Sequence, residues 1–323
     1  MLIAYALQNG GLARVELAAG SAPPAEALWI DLFEPGAEEE RAVEAGLGIN
    51  VPTREEMREI ESSNRLYEED GAVYLTCTIV TKLDTDLPQN AQVTFILKDG
   101  RLVTNRYTNP LPFRRYAAYA ERHAASCNSG PAILAGLVEA IVNRIADVIE
   151  RVGSDLDGVS AEVFSHAVRR RGRSDLREVL EQVGRSGELI AKARESLMSL
   201  GRLLAFVQQS ALLTLSQEVR TRLRTLSRDV MSMSDHASFL GNNVSFILDA
   251  TLGMINIDQN NILKIFSVVT VFLLPPSVVG AIYGMNFEHI PWAHESWGFL
   301  GALGLMLVSA LIPYLVFKRR GWL

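Results

Sequence analysis

No charged residue occurs from Ile265 through Phe287, and none from Ser296 through Phe317. A helix rising about 1.5 Å per residue needs roughly 20 residues to cross about 30 Å of hydrocarbon, and both runs are longer than that. Two buried helices of a large soluble domain are the competing arrangement, but charge-free segments of this length favour the bilayer. The pair predicts a helical hairpin, with a first span at 262–286, a connecting loop at 287–296 and a second span at 297–317.

Orientation follows from the basic residues. Lys318, Arg319 and Arg320 open a short tail at 318–323, and Lys264 precedes the first span. The loop between the spans carries Glu288 and Glu295 and neither Lys nor Arg, so both termini are expected on the cytoplasmic side of an inner membrane crossed more than once. Met1-Leu2-Ile3-Ala4-Tyr5 has no basic region before it, and no signal peptide is expected.

With 48% hydrophobic and 21% charged residues, the chain is too polar for a many-spanning protein and has room for a folded cytosolic domain. Its net charge of −6 argues against nucleic acid and suits a surface that attracts cations. The two cysteines, Cys77 and Cys127, have neither metal-binding nor redox spacing and are read as free thiols. No nucleophile triad, phosphate-binding glycine loop or metal-ligating histidine motif argues for an enzyme.

Short apolar or alternating runs at 2–7, 12–17, 28–33, 72–80, 93–97 and 101–105 predict strands, with Lys98-Asp99-Gly100-Arg101 as a tight turn. Helices are expected around 38–47, 53–62 and 110–124, giving a mixed α/β domain over 1–127. Asn128-Ser129-Gly130-Pro131 breaks that pattern, and two long helices, about 131–166 and 174–209, form a hairpin within 128–214. Between them Arg169-Arg170-Arg171-Gly172-Arg173 reads as a solvated turn. From 215 there is no proline before Pro275, so a stalk helix over 215–261 is expected to continue into the first span.

Read in sevens, that helix has a seam. Asn242, Asp249, Asn256, Leu263, Thr270, Ser277 and Gly284 form one line; Phe246, Gly253, Asn260, Ser267, Leu274 and Ala281 form the next. Small and hydroxyl residues of this kind either pack helices closely or line water. Close packing suits Gly253, Gly280 and Gly284. Acid and amide groups at Asp249, Asn256 and Asn260 need partners, which water supplies. Two spans cannot enclose a path, so several chains must meet around an axis, and a 3.5-residue repeat predicts a left-handed bundle. At the end of the first span Asn286 places an amide at a membrane mouth, facing water or a hydrated solute rather than lipid. The pattern points to ion transport.

Tyr283-Gly284-Met285-Asn286-Phe287-Glu288, the stretch Ile265-Phe266-Ser267-Val268-Val269 leading to Leu274-Pro275-Pro276, and the C-terminal Tyr314 with Phe317-Lys318-Arg319-Arg320-Gly321-Trp322-Leu323 resemble the CorA family of divalent-cation transporters. The similarity is clearest over 242–323. It implies a funnel-shaped homopentamer in the lipid bilayer, the first span lining the pore, the second outside it, and Gly284, Met285 and Asn286 forming the outer mouth as a selectivity filter. After Phe287-Glu288 the family often has Met-Pro-Glu-Leu, whereas this chain has Ile290-Pro291-Trp292-Ala293; either Glu295 is expected to stand in for the displaced acid, with Glu288, in attracting cations, or cation capture differs from the family's.

A ring of amides that bonds to hydration water selects Mg²⁺ without stripping it. Asn256, Asn260, Ser267, Thr270 and Ser277 would line the path, with Leu263 and Leu274 as dewetting gates. The membrane potential alone suffices to drive influx, at about 2.3 kcal/mol per charge per 100 mV, and the resemblance implies closure by cytosolic Mg²⁺ held between Asp249 and an acid of a neighbouring copy, for which Glu56, Glu59 and Glu61 are candidates. His289 and His294 raise the alternative of Zn²⁺, or of Co²⁺ and Ni²⁺, since imidazole suits those ions. A membrane-anchored metal sensor that conducts nothing is the reading from another class.

Overall fold

The computed structural model describes residues 1–8, 11–83, 88–168, 176–286, 290–292 and 295–320. The chain divides into two units, Met1–Leu248 and Asp249–Leu323.

The first unit is built on a seven-stranded sheet. Its strands are β1 (Leu2–Gln8), β2 (Gly11–Leu17), β3 (Ala27–Phe33), β4 (Leu66–Glu69), β5 (Ala72–Thr81), β6 (Gln89–Lys98) and β7 (Arg101–Arg106), in the order β2-β1-β3-β7-β6-β5-β4. β3 and β7 are parallel and every other neighbouring pair is antiparallel. The β6–β7 hairpin turns through Asp99 and Gly100, both at positive φ, where glycine adds no steric cost. All of β5 is buried, which is why its sequence reads as a continuous apolar and threonine run rather than an alternating one.

One face of the sheet carries Leu2, Ala4, Ile30, Leu32, Tyr74, Ile96 and Val103 against Val43 of α1 (Ala37–Leu47) and the following Ile49 and Val51. The opposite face meets α3 (Leu111–Ala120), where Phe113 stacks on Phe95 at 6.2 Å and Tyr116 approaches Trp29 at 6.1 Å. α5 (Leu176–Gln209) docks along β5, Ser199 Oγ accepting the Thr78 backbone N–H at 2.9 Å. α4 (Gly130–Val168) lies against α3, and a Cβ at Gly136 would fall 2.2 Å from the Tyr116 ring. The result is a helix–sheet–helix arrangement of three layers.

The helix expected at 53–62 is not formed. Instead a 3₁₀ turn covers Glu56–Arg58, and a four-residue α2 (Ser62–Arg65) precedes β4. Thr53 N–H and hydroxyl both donate to the Glu56 carboxylate, at 2.8 and 2.9 Å, capping a turn rather than starting a long helix. Glu59 is then extended, and its carbonyl accepts from Arg65 Nε. The strand β4 had no counterpart in the sequence reading. It is a half-exposed edge strand, held by Tyr67 stacking on Tyr74 at 4.6 Å.

α6 (Gln217–Tyr283) begins in the first unit. There it buries Val219, Leu223, Leu226, Val230, Ala237, Leu240 and Ile247, and Arg222 Nε reaches the Glu139 carboxylate on α4 at 2.8 Å.

In the second unit α6 continues through Pro275 and Pro276, which lack the N–H groups that would bond to Val271 and Phe272 carbonyls. Ser277 Oγ donates to the Leu273 carbonyl at 2.7 Å, one residue beyond the two carbonyls that the prolines leave without a ladder donor. α7 (Gly298–Arg319) returns beside it, and both are long and apolar enough to cross a membrane.

Candidate functional site

The helical seam and its terminal tripeptide form the candidate site. On α6, Asp249, Asn256, Asn260, Leu263, Ser267, Thr270, Leu274 and Ser277 are all exposed in the single chain. So are Gly284, Met285 and Asn286 just beyond its end. The helix closes with the Gly284 N–H donating to the Gly280 carbonyl at 2.9 Å and that of Met285 donating to the Ile282 carbonyl at 3.3 Å.

The contacts between α6 and α7 fix which side of α6 is covered. Phe272 meets Tyr314 with ring centroids 6.0 Å apart, and a Cβ at Gly280 would lie 3.1 Å from Met306 Cε. Val268, Phe272, Pro276 and Val279 are half-buried on that side. At about 100° per residue, Ser267, Thr270 and Leu274 fall on the half of α6 turned away from these contacts, with Ser277 and Gly284 toward its edge. Thr270 and Ser277 donate their hydroxyl protons to the carbonyls of Phe266 and Leu273, at 2.8 and 2.7 Å, and retain lone pairs that point outward as acceptors.

Beyond the tripeptide, Trp292 takes a positive φ of 65° and packs on Trp297 at 5.4 Å. Its carbonyl approaches so closely that a Cβ at Gly298 would lie 2.0 Å away, a position only glycine fits. Glu295 is exposed. Glu288, His289 and His294, and the arginines at 169–173, lie outside the described residues.

On the first unit, the Glu56 carboxylate is occupied by Thr53, and that of Glu59 accepts the Asn64 amide at 2.6 Å; Glu61 is exposed. Among the described residues no group of three or more His, Cys, Asp or Glu side chains is placed to hold a metal within one chain. Both thiols are buried and free. Burial pushes the Cys77 thiol up to about 12 and also raises that of Cys127, whose Sγ lies 3.4 Å from the Tyr116 hydroxyl.

The sequence reading did not single out a buried ion pair in the sheet. Asp31, the one acid within the apolar strand Ala27–Phe33, pairs with Arg106 at 2.7 Å and accepts the Thr104 hydroxyl at 2.6 Å. Arg106 is sandwiched by Phe33 and Phe113, 4.5 and 5.1 Å from their ring centres. A lone charge flanked by apolar residues was the available signal.

A folded mixed α/β unit followed by two membrane-length apolar helices, the first carrying a polar seam, defines a membrane protein of the ion-transporter class. The chain belongs to the CorA family: the profile described as "CorA-like Mg2+ transporter protein" matches residues 24–319. It is 36% identical over 323 residues to the magnesium transport protein CorA of Yersinia pseudotuberculosis and to that of Escherichia coli strain K12, covering all of each chain. In fold it is similar to the complete CorA magnesium transporter of Methanocaldococcus jannaschii, with a TM-score of 0.74 at 19% identity, covering 100% of this chain and 99% of that one. It is also similar to full-length CmaX, with a TM-score of 0.70 at 18% identity, covering 98% and 97%.

Proposed function

We propose that this chain assembles as a homopentamer that conducts Mg²⁺ into the cell down the membrane potential, with α6 lining the path and α7 on the lipid side. One observation carries the reading. The seam residues from Asn256 to Ser277 are exposed, Ser267, Thr270 and Leu274 are turned away from α7, and the exposed Asn286 amide lies just beyond the helix end. Amides and hydroxyls facing hydrocarbon are costly, and neighbouring copies around a hydrated axis satisfy them. Full-length likeness to proteins named magnesium transport protein CorA supports Mg²⁺ as the ion.

In this reading Asn286 side chains from the copies hold the first hydration shell of the ion, which keeps binding weak enough for release. Asn260 and Asn256 repeat the water-mediated contact lower down, and the outward lone pairs of Thr270 and Ser277 accept from the same waters. Leu263 and Leu274 close the path by dewetting when the bundle tightens. Glu295, with Glu288, raises the local cation concentration at the mouth. Both termini lie in the cytoplasm, so Asp249 with Glu56, Glu59 or Glu61 of a neighbouring copy forms the regulatory Mg²⁺ site; the carboxylates of Glu56 and Glu59 must first release their present partners, which makes Glu61 the readiest donor. Co²⁺ and Ni²⁺, of similar hydrated form, compete for the same path.

Flux from purified protein in liposomes with an internal Mg²⁺-sensitive dye tests this. Uptake by the wild type and its loss in Asn286→Ala are expected. A correctly assembled oligomer that admits no Mg²⁺ would instead be a membrane-anchored sensor.

A further inference from the structure

A second feature lies far from the seam in sequence, at one end of the sheet. β3, β7 and β5 run in the same direction and release their carboxyl ends there, at Glu34, Tyr107 and Lys82. Open α/β sheets hold small ligands beyond the carboxyl ends of their parallel strands, and β3–β7 is the parallel pair of this sheet. Here it is a cavity of about 570 Å³, within the range of ligand pockets, and its lining continues through Arg54, Thr81, Gln89, Tyr107 and Thr108 into a smaller one of about 170 Å³.

The lining is basic in a chain whose net charge is negative. Arg54, Arg114, Lys82 and Arg144 face the larger cavity and Arg58 the smaller, against Glu34 as the acid among the described lining residues. Among the described residues neither Arg54 nor Arg114 is ion-paired, and Arg54 rests over the Tyr107 ring, 5.3 Å from its centre, which holds the guanidinium in place. Two buried polar atoms on the lining, Thr108 Oγ1 and Asn90 Oδ1, have no hydrogen-bond partner among the described residues. Buried polar groups are almost always satisfied, so an orphaned acceptor and an orphaned hydroxyl beside the Arg54 and Arg114 guanidiniums describe a recess made for a polar guest. α3 also begins here, at Leu111, and the positive end of its dipole adds to the same field.

We propose that this recess binds a phosphate-bearing small molecule, with Arg54 and Arg114 clamping the phosphate oxygens and Thr108 and Asn90 contacting its hydroxyl or amine groups. Planar guanidiniums match phosphate oxygens in pairs, which favours phosphate over a simple halide. The size of the larger cavity accommodates a diphosphate alone or one attached to a nucleoside, and the two are separable by experiment.

The test is calorimetric titration of the full-length oligomer in detergent, free of Mg²⁺, with inorganic pyrophosphate in one arm and ADP in another. Saturable binding of either probe is expected. Tighter binding of ADP identifies a nucleotide, and equal binding identifies the diphosphate alone. Arg54→Ala and Arg114→Ala should each weaken binding by at least about tenfold, with Arg54→Lys weakening it less. Variants are compared only where they elute as the same oligomer and melt at the wild-type temperature; both arginines are exposed, so folding should be retained. Absence of saturable binding of both probes to the wild type, or equal affinity in the Arg54→Ala/Arg114→Ala double variant, would overturn the proposal.

Discussion

Single cysteines placed along α6 should report which of its faces meets water. The positions are Ser267, Thr270 and Ser277 on or beside the seam, against Val268, Phe272 and Val279 on the side that α7 covers. The native background is silent because Cys77 and Cys127 are buried, the former with its thiol pushed up to about 12. Only thiolate reacts with a water-soluble maleimide or methanethiosulfonate. At pH 8 a hydrated thiol with an ordinary pKa of about 8.5 is roughly one quarter ionised, whereas one titrating near 12 is ionised about once in 10⁴ molecules. Seam cysteines should therefore be modified roughly a thousandfold faster than Cys77, and those on the α7 side, desolvated by packing or lipid, should be similarly slow. The assay is the rate of mass shift of the intact oligomer in liposomes. Modification of 268, 272 and 279 as fast as 267, 270 and 277 would refute the assignment of faces.

Three further outcomes follow from the geometry. Asp31→Asn leaves the Arg106 guanidinium buried without its counter-charge, and should cost about 3–5 kcal/mol in denaturant unfolding, while Asp31→Asn/Arg106→Met recovers part of it. Burial foremost, with the nearby Glu44 carboxylate, raises the Glu40 carboxyl above its usual range; its folded pKa then exceeds the unfolded one, so its contribution is favourable below the unfolded pKa and is lost as pH rises through the folded pKa. Glu40→Gln should accordingly raise the melting temperature at neutral pH and leave it unchanged at pH values below the carboxylate range. Gly280→Ala should be tolerated because the facing atom is the flexible end of Met306, whereas Gly280→Ile should lose about 1–3 kcal/mol of stability in detergent melts.

Much of this was legible in the sequence, for physical reasons that differ from element to element. The charge-free runs announced two membrane-length helices because a lone apolar segment of that length bonds its own backbone inside a bilayer only as a helix. The seam was legible because heptad spacing survives in the order of residues. Which side of α6 meets α7 was not, since Phe272 and Gly280 become neighbours of Tyr314 and Met306 only in three dimensions. The run Thr53–Ser62 has the composition of a helix, and a side-chain cap at Thr53 together with the Arg65 bond to the Glu59 carbonyl diverts it. Strand β4, Leu-Tyr-Glu-Glu, carries too little apolar character to announce itself; the tyrosine pair that holds it spans two strands. The basic recess is likewise assembled from residues scattered between Arg54 and Arg144.

The most direct measurement is Mg²⁺ movement in sealed vesicles with equal free Mg²⁺ on both sides and a potential set by a K⁺ gradient. A divalent ion gains about 4.6 kcal/mol at 100 mV, which is ample to drive net flux without a concentration difference. The account predicts influx when the interior is negative, efflux when it is positive, none at zero potential, and none at any potential in Asn286→Ala. Vesicles that hold the intact oligomer and show no potential-dependent Mg²⁺ movement at either polarity would contradict it.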